Sequence, residues 1–128
     1  MKINFAIYCY SINPRVLKKE IKYCEKIIKK YFKEELIGII TYFSDIVNKK
    51  DNRKGLEELI CSIEKQDIHC IVIPYLDVFS NEKYDLIKQI DKIPFKRCKI
   101  VICNEECLLD EERIKFFQEY EKYQYKIN

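Results

Sequence analysis

A serine and an aspartate, each near the end of an apolar run, are the side chains in this sequence best placed to do chemistry. Ser11 follows the run at residues 5–10, and Asp77 follows the run at residues 70–74. A serine hydroxyl can act as a nucleophile when it is activated, and a carboxylate can act as a base or as a ligand. The simpler role for Ser11 is a hydrogen bond to nearby backbone, and for Asp77 it is to form a turn.

The elements that must position these side chains alternate along the chain. Apolar, β-branched runs predict strands at residues 5–12, 36–43, 70–74 and 99–103. Between them, apolar residues recur at helical spacing. The predicted helices begin after Asn13, just before Leu56, at Ser80 or Asn81, and at Asp110. The polar stretch 44–52 predicts a loop. This alternation implies right-handed βαβ crossovers and a three-layer α/β fold with a mostly parallel sheet.

Composition narrows the class of protein. The 128 residues fit a single domain over residues 1–128, including a C-terminal helix at about 110–125. Neither a transmembrane run nor a signal peptide is recognisable. Seven cysteines, an odd number that falls mostly in apolar runs, favour reduced core thiols and a cytoplasmic location. The net charge of +3 permits contact with nucleic acid but does not require it.

Two kinds of ligand site are disfavoured by the sequence. The segment after the first strand, residues 11–15, contains no glycine, so the backbone cradle that holds a nucleotide phosphate is not predicted. His69 and Cys70 could approach Cys103 and Cys107 if the last two strands are neighbours, but their spacing is unlike that of paired zinc knuckles. We therefore predict neither a metal nor a cofactor.

Four short segments together resemble the catalytic domain of serine recombinases, the resolvase/invertase family. Residues 6–12 (AIYCYSI) are similar to the family's first strand, Y-x-R-V-S, and residues 75–81 (YLDVFSN) to its L-D-R-L-x-R. Residues 42–45 (YFSD) and 53–56 (RKGL) resemble its Y-x-D and the R-x-x-L that opens its second helix. The order and spacing of the segments make the resemblance specific. It implies a resolvase- or flavodoxin-like sheet with strand order 2-1-3-4.

The resemblance also implies a chemistry that this chain has mostly lost. In the family a serine attacks a DNA phosphodiester, and arginines stabilise the charge that develops on the phosphate. The family's arginine positions fall on Tyr10, Val78 and Asn81, and its nucleophilic serine falls on Ile12. Arg53 and Asp77 are retained as remnants of the family site. The resemblance therefore predicts a degenerate domain that serves as a binding or assembly module in site-specific recombination.

Two alternatives stay open at this stage. Ser11, one position before the expected nucleophile, could cleave DNA with lysines in place of arginines, although side-chain alternation turns it to the face opposite Tyr10. An unrelated flavodoxin-like interaction domain would have another strand order. The partners implied by the resemblance are a second copy or an active recombinase, joined through the C-terminal helix. Weak, non-specific contact with DNA is compatible with the charge, and no membrane contact is predicted.

Overall fold

A computed structural model describes residues 2–47, 53–79, 88, 91–93 and 98–109. In chain order the regular elements are β1 (Ile3–Ser11), α1 (Pro14–Tyr31), β2 (Ile37–Ile46), α2 (Lys54–Lys65), β3 (Cys70–Ile73), β4 (Lys99–Ile102) and β5 (Cys107–Leu108). Short 3₁₀ turns lie at Glu34–Leu36, Leu76–Val78 and Cys103–Glu105. Of the helix predicted to begin at Ser80 or Asn81, residues 88 and 91 are described and are helical, and its other residues up to 90 lie outside the described part of the chain, as does the helix predicted after Asp110.

The five strands form one sheet in the order β2-β1-β3-β4-β5. The pairs β1–β2, β1–β3 and β3–β4 are parallel, and β5 is antiparallel to β4. The predicted order 2-1-3-4 is therefore confirmed, and the two-residue strand β5 is an addition that its few apolar residues did not indicate.

The helices α1 and α2 pack on opposite faces of the sheet, as side-chain alternation along β1 requires. Phe5, Ile7 and Cys9 lie in a core cluster with Ile27 and Ile28 of α1. The intervening residues of β1 lie in a second cluster with α2, which includes Ala6, Tyr8, Leu56, Leu59 and Ile63. The three-layer α/β architecture is confirmed for the described residues.

Helix α1 begins as the sequence predicts. The side chain of Asn13 accepts a hydrogen bond from the backbone N–H of Val16 (2.9 Å), and Pro14 occupies the first helical position. These are the two signals that favour a helix start, since the cap satisfies an orphan N–H and proline has none to leave unpaired.

The loop predicted from residue 44 is wrong at its start, because β2 continues through Ile46. The polar pair Ser44 and Asp45 ends the apolar run in the sequence, yet these residues pair in register with Cys9 and Tyr10 of β1. Asp45 is also buried, since it has hydrogen-bond donors inside the fold. A polar residue in a strand end was therefore mistaken for a loop residue.

The cysteines are free thiols, and Cys61 and Cys107 are exposed. The other five are buried: Cys9, Cys24, Cys70, Cys98 and Cys103. Burial raises the pKa of Cys70 to about 12 and that of Cys98 to about 11. A thiol that stays protonated is a poor nucleophile, so these two groups act as core residues.

Candidate functional site

The candidate site lies where the parallel strands end, the edge at which open α/β sheets bind their ligands. β1 ends at Ser11, β2 at Ile46 and β3 at Ile73, and α2 begins directly after Arg53. The 3₁₀ turn Leu76–Val78 follows β3 and brings the retained aspartate to the same edge.

Arg53 is engaged by the protein itself. Its Nη1 donates to the carbonyl oxygen of Phe79, and its Nη2 donates to the carbonyl oxygen of Val78. Nη2 also donates to the hydroxyl of Tyr8 (2.8 Å). The ring of Tyr10 covers the guanidinium, with its centroid 4.1 Å from Cζ. Arg53 thus ties the start of α2 to the turn after β3.

The Nε of Arg53 is buried and has no hydrogen-bond partner. A phosphate bound by the planar fork of an arginine accepts two parallel N–H bonds. In this structure Nη2 donates to the carbonyl of Val78 and to the hydroxyl of Tyr8, and Nε is buried away from solvent. The guanidinium therefore lacks an open pair of donors for an incoming phosphate.

Asp45 is the hub of this network. Its Oδ2 accepts a hydrogen bond from the Tyr8 hydroxyl (2.7 Å) and one from the backbone N–H of Leu56 (2.9 Å). Its Oδ1 accepts from the backbone N–H of Gly55 (2.7 Å). The first N–H groups of a helix have no partner within the helix and attract negative charge, so Asp45 caps α2 from the neighbouring strand.

Gly55 makes this cap possible. A Cβ at residue 55 would overlap the carbonyl oxygen of Ser44, so only glycine lets the helix start approach the end of β2 this closely. Tyr8 completes the arrangement between Asp45 and Arg53. Its burial, and then its hydrogen bond to Asp45, hold the pKa of the phenol well above its ordinary value. Tyr8 is therefore a protonated donor to Asp45 at every physiological pH.

Ser11 faces the opposite side of the sheet. Its side chain is 1% exposed, and Oγ donates a hydrogen bond to Oε1 of Glu20 on α1 (3.0 Å). Tyr75 lies beside the same carboxylate, and its pKa is raised to about 12 by burial first and then by the charge of Glu20. The hydroxyl of Ser11 is thus held within the interior, away from Arg53.

The other residues singled out from the sequence are spread around the edge. Ile12 is 75% exposed just after β1, whereas Val78 is fully buried and contributes only its carbonyl oxygen to the Arg53 network. Asp77 is exposed in the turn after β3. Asn81 lies outside the described residues. Tyr10 and Val78 therefore meet Arg53 through a ring and a backbone carbonyl, whereas the exposed residues Ile12 and Asp77 do not join them.

The four residues weighed as zinc ligands do not come together either. His69 precedes β3, and its Nδ1 accepts the backbone N–H of Asn4 (2.9 Å). Cys103 and Cys107 follow β4, at the other end of the parallel strands. In the part of the chain that the structure describes, no three His, Cys, Asp or Glu side chains are grouped to hold a metal ion.

Residues 15–120 match the protein family described as "Resolvase, N terminal domain", which is most of the chain. The chain belongs to this resolvase family. No curated protein matches it significantly. The alternative of an unrelated flavodoxin-like domain is thereby excluded, in agreement with the strand order.

Three solved structures share the fold of this chain. The N-terminal catalytic domain of TP901-1 integrase aligns with a TM-score of 0.75 at 14% identity, covering 98% of each chain. A resolvase family site-specific recombinase from Streptococcus pneumoniae aligns with a TM-score of 0.73 at 11% identity, covering 98% of this chain and 89% of the other. The C-terminal catalytic domain of an IS607-like serine recombinase gives 0.60 at 20% identity, covering 78% and 69%.

The match to the resolvase family begins at Arg15, after β1. It therefore leaves out Tyr10 and Ile12, two of the positions where this chain departs from the pattern that the resemblance assigns to the family. The same boundary divides the hydrogen-bonded pair on the α1 side: Ser11 lies outside the matched residues and Glu20 lies within them.

Sequence reasoning missed two parts of the site: the role of Asp45 as a cap and the pairing of Ser11 with Glu20. The capping role of Asp45 could have been predicted from the strand pattern. Phe43 is the register partner of Tyr8, and Asp45, two residues further along β2, lies on the same face of the sheet. For the second there was little signal, since a glutamate within a lysine-rich helix reads as a solvated residue.

Among the helices of the described residues, none is both long enough and apolar enough to cross a membrane.

Proposed function

We propose that this resolvase-family domain does not cleave DNA and serves site-specific recombination as a binding or assembly module. The proposal rests on the contacts that Arg53 makes within the protein. The one arginine retained from the family's motifs is committed to backbone carbonyls, to Tyr8 and to the ring of Tyr10. An arginine that must stabilise a transition state needs free, preorganised donors.

The loss of charge at the other family positions supports the same conclusion. Tyr10 and Val78 are uncharged, and the side chain of Val78 is fully buried. Removing one donor that stabilises a transition-state charge typically costs roughly 100- to 1,000-fold in rate. Several such losses together reduce phosphodiester cleavage below a useful level, even though effects of this kind are not additive.

The candidate nucleophiles give further support. Ile12, at the family's serine position, has no hydroxyl. Ser11 is buried and bonded to Glu20, on the face of the sheet opposite the Arg53 network. A DNA phosphate cannot reach a hydroxyl that is 1% exposed without opening of the strand end.

The proposed module works through contacts rather than chemistry. Residues 110–125, the predicted C-terminal helix, would join it to a second copy or to an active recombinase. Contact with DNA would be weak and independent of base sequence, because the described strand ends offer no base-reading arginine.

The cleavage claim is tested by incubating the full chain with supercoiled plasmid and separating the products under denaturing conditions. We expect no nicked plasmid and no covalent protein–DNA adduct, from either the parent protein or Ser11→Ala. An active serine recombinase on its own site is the positive control. An adduct formed by the parent chain and lost in Ser11→Ala would instead establish a working recombinase.

The assembly claim is tested by sedimentation velocity on the same full-length preparation, alone and mixed with that active recombinase. We expect either a self-associated species of this chain alone or, in the mixture, a species heavier than any that the two proteins give separately. No self-association of this chain at concentrations up to about 100 μM (a binding free energy weaker than about 5.5 kcal/mol), together with no new species in the mixture, would contradict the assembly role.

A further inference from the structure

The outer face of α1 has an unusual concentration of positive charge. Seven basic residues lie on this one helix: Arg15, Lys18, Lys19, Lys22, Lys26, Lys29 and Lys30. All seven are exposed. At 3.6 residues per turn they fall within an arc of about 120°, and from the first to the last they extend along roughly 22 Å of helix. We call these seven residues the basic stripe.

Among the described residues, neither carboxylate of α1 forms an ion pair with the stripe, and each accepts a hydrogen bond from a neutral hydroxyl instead. Glu20 accepts the hydrogen bond from Ser11, and Glu25 accepts one from the hydroxyl of Tyr42 on β2 (2.9 Å). Lys30 forms an ion pair with Glu106 (2.9 Å). Within the described chain, the other six cations of the stripe have no ion-pair partner.

The charge is also one-sided. With seven cations and two carboxylates, α1 has a charge of +5, more than the +3 of the whole chain. On the opposite face of the sheet, α2 has three exposed glutamates and two exposed lysines, a charge of −1. A concentrated field of one sign on one face attracts a polyanion far better than the net charge suggests.

We infer that the basic stripe binds the phosphate backbone of a nucleic acid. Phosphates on one DNA strand are spaced about 3.4 Å along the axis, so a stripe of this length can contact several of them. Tyr23 is exposed at the border of the stripe and can pack against a sugar or a base. This surface lies on the α1 side of the sheet, away from the Arg53 network, and its function does not depend on the loss of cleavage.

A nucleic acid fits the stripe better than an anionic membrane does. A helix that binds in the plane of a membrane inserts an apolar face into the lipid. The apolar face of α1 is already buried against the sheet through Cys24, Ile27 and Ile28. Only the charged face of α1 is available. Basic side chains need no apolar surface to bind a phosphate backbone, because they bind it through their charge.

The test is fluorescence anisotropy with a labelled 20-base-pair duplex of arbitrary sequence, at salt concentrations from 50 to 200 mM. The test protein is the full chain with Lys18→Gln, Lys22→Gln and Lys26→Gln, at the centre of the stripe. The matched control has Lys54→Gln, Lys65→Gln and Lys99→Gln, three exposed lysines on other elements. Glutamine keeps a helix propensity close to that of lysine, and Lys99, at the start of β4, is exposed, so both triple variants are expected to fold.

We expect the stripe variant to bind at least about tenfold more weakly at 100 mM salt. The slope of log affinity against log salt should become shallower by about 2 to 3, because each lost phosphate contact removes about 0.9. The control should remain within about twofold of the parent protein. Equal weakening of both variants would show that binding depends on the total charge of the protein and not on the basic stripe, and it would overturn the proposal.

Vesicles containing phosphatidylserine provide a second arm. Binding of the parent protein to these vesicles, without binding to the duplex, would assign the stripe to a membrane surface and overturn the proposal. Neither result bears on the cleavage assay, which reports the strand ends alone, so failure of this inference is distinguishable from failure of the proposed function.

Discussion

Arg53→Lys is expected to lower the free energy of unfolding of this domain by about 3 kcal/mol, although it keeps the charge. Lysine has no planar fork and cannot donate simultaneously to the carbonyls of Val78 and Phe79 and to the Tyr8 hydroxyl. Each hydrogen bond from a charged donor contributes about 1.5 to 3 kcal/mol, and two partly buried acceptors lose their partner. Urea denaturation followed by circular dichroism measures the change.

The control for Arg53→Lys is Arg15→Lys. Arg15 is exposed at the start of α1, where the same substitution should change the stability by less than about 0.5 kcal/mol. Equal stability of Arg53→Lys and the parent protein would mean that the guanidinium is not a structural clamp. It would then be free to bind an anion, and the main support for a non-cleaving domain would be lost.

Asp45→Ala is expected to have the largest effect of any single substitution in the network, about 4 kcal/mol. The change leaves three buried donors without an acceptor: the N–H groups of Gly55 and Leu56 and the hydroxyl of Tyr8. An unsatisfied buried donor costs about 1 to 3 kcal/mol. The substitution Asp45→Ala also removes the negative charge at the start of α2. The measurement is again urea denaturation.

Because Asp45→Ala could leave too little folded protein to measure, Asp45→Asn provides a graded test. The amide oxygen can replace one carboxylate oxygen but not both, so we expect a loss of about 2 kcal/mol. Asp77→Ala is the control, since Asp77 is exposed, and its loss should stay within about 0.5 kcal/mol. If Asp45→Asn matched this control, the capping role of Asp45 would be refuted.

The sheet and its order were accessible from the sequence because they depend on periodicity. The run 70–73 is apolar on both faces, as a central parallel strand must be, and the cap formed by Asn13 and Pro14 marks the start of α1. The end of β2 was not accessible in the same way. Ser44 and Asp45 look like loop residues until the register places Asp45 beside Tyr10 and near the start of α2.

The candidate site was accessible only in part, because its chemistry depends on which side chains meet. Alternation along β1 correctly predicted that Ser11 and Tyr10 face opposite sides of the sheet. It could not predict that the ring of Tyr10 would cover Arg53, or that Val78 would offer its backbone rather than its side chain. Such contacts depend on tertiary geometry at the strand ends, which short motifs do not encode.

The availability of Arg53 is the point on which the account depends, and side-chain NMR tests it directly. The chain has only four arginines, so the ¹H–¹⁵N spectrum of the guanidinium groups is simple, and Arg53→Lys identifies the signals of Arg53. Inorganic phosphate is then added at constant ionic strength. We predict that the Nε and Nη signals of Arg53 do not move. A saturable shift of these signals on addition of phosphate would contradict the account, because it would show that the retained arginine still binds the group that the family cleaves.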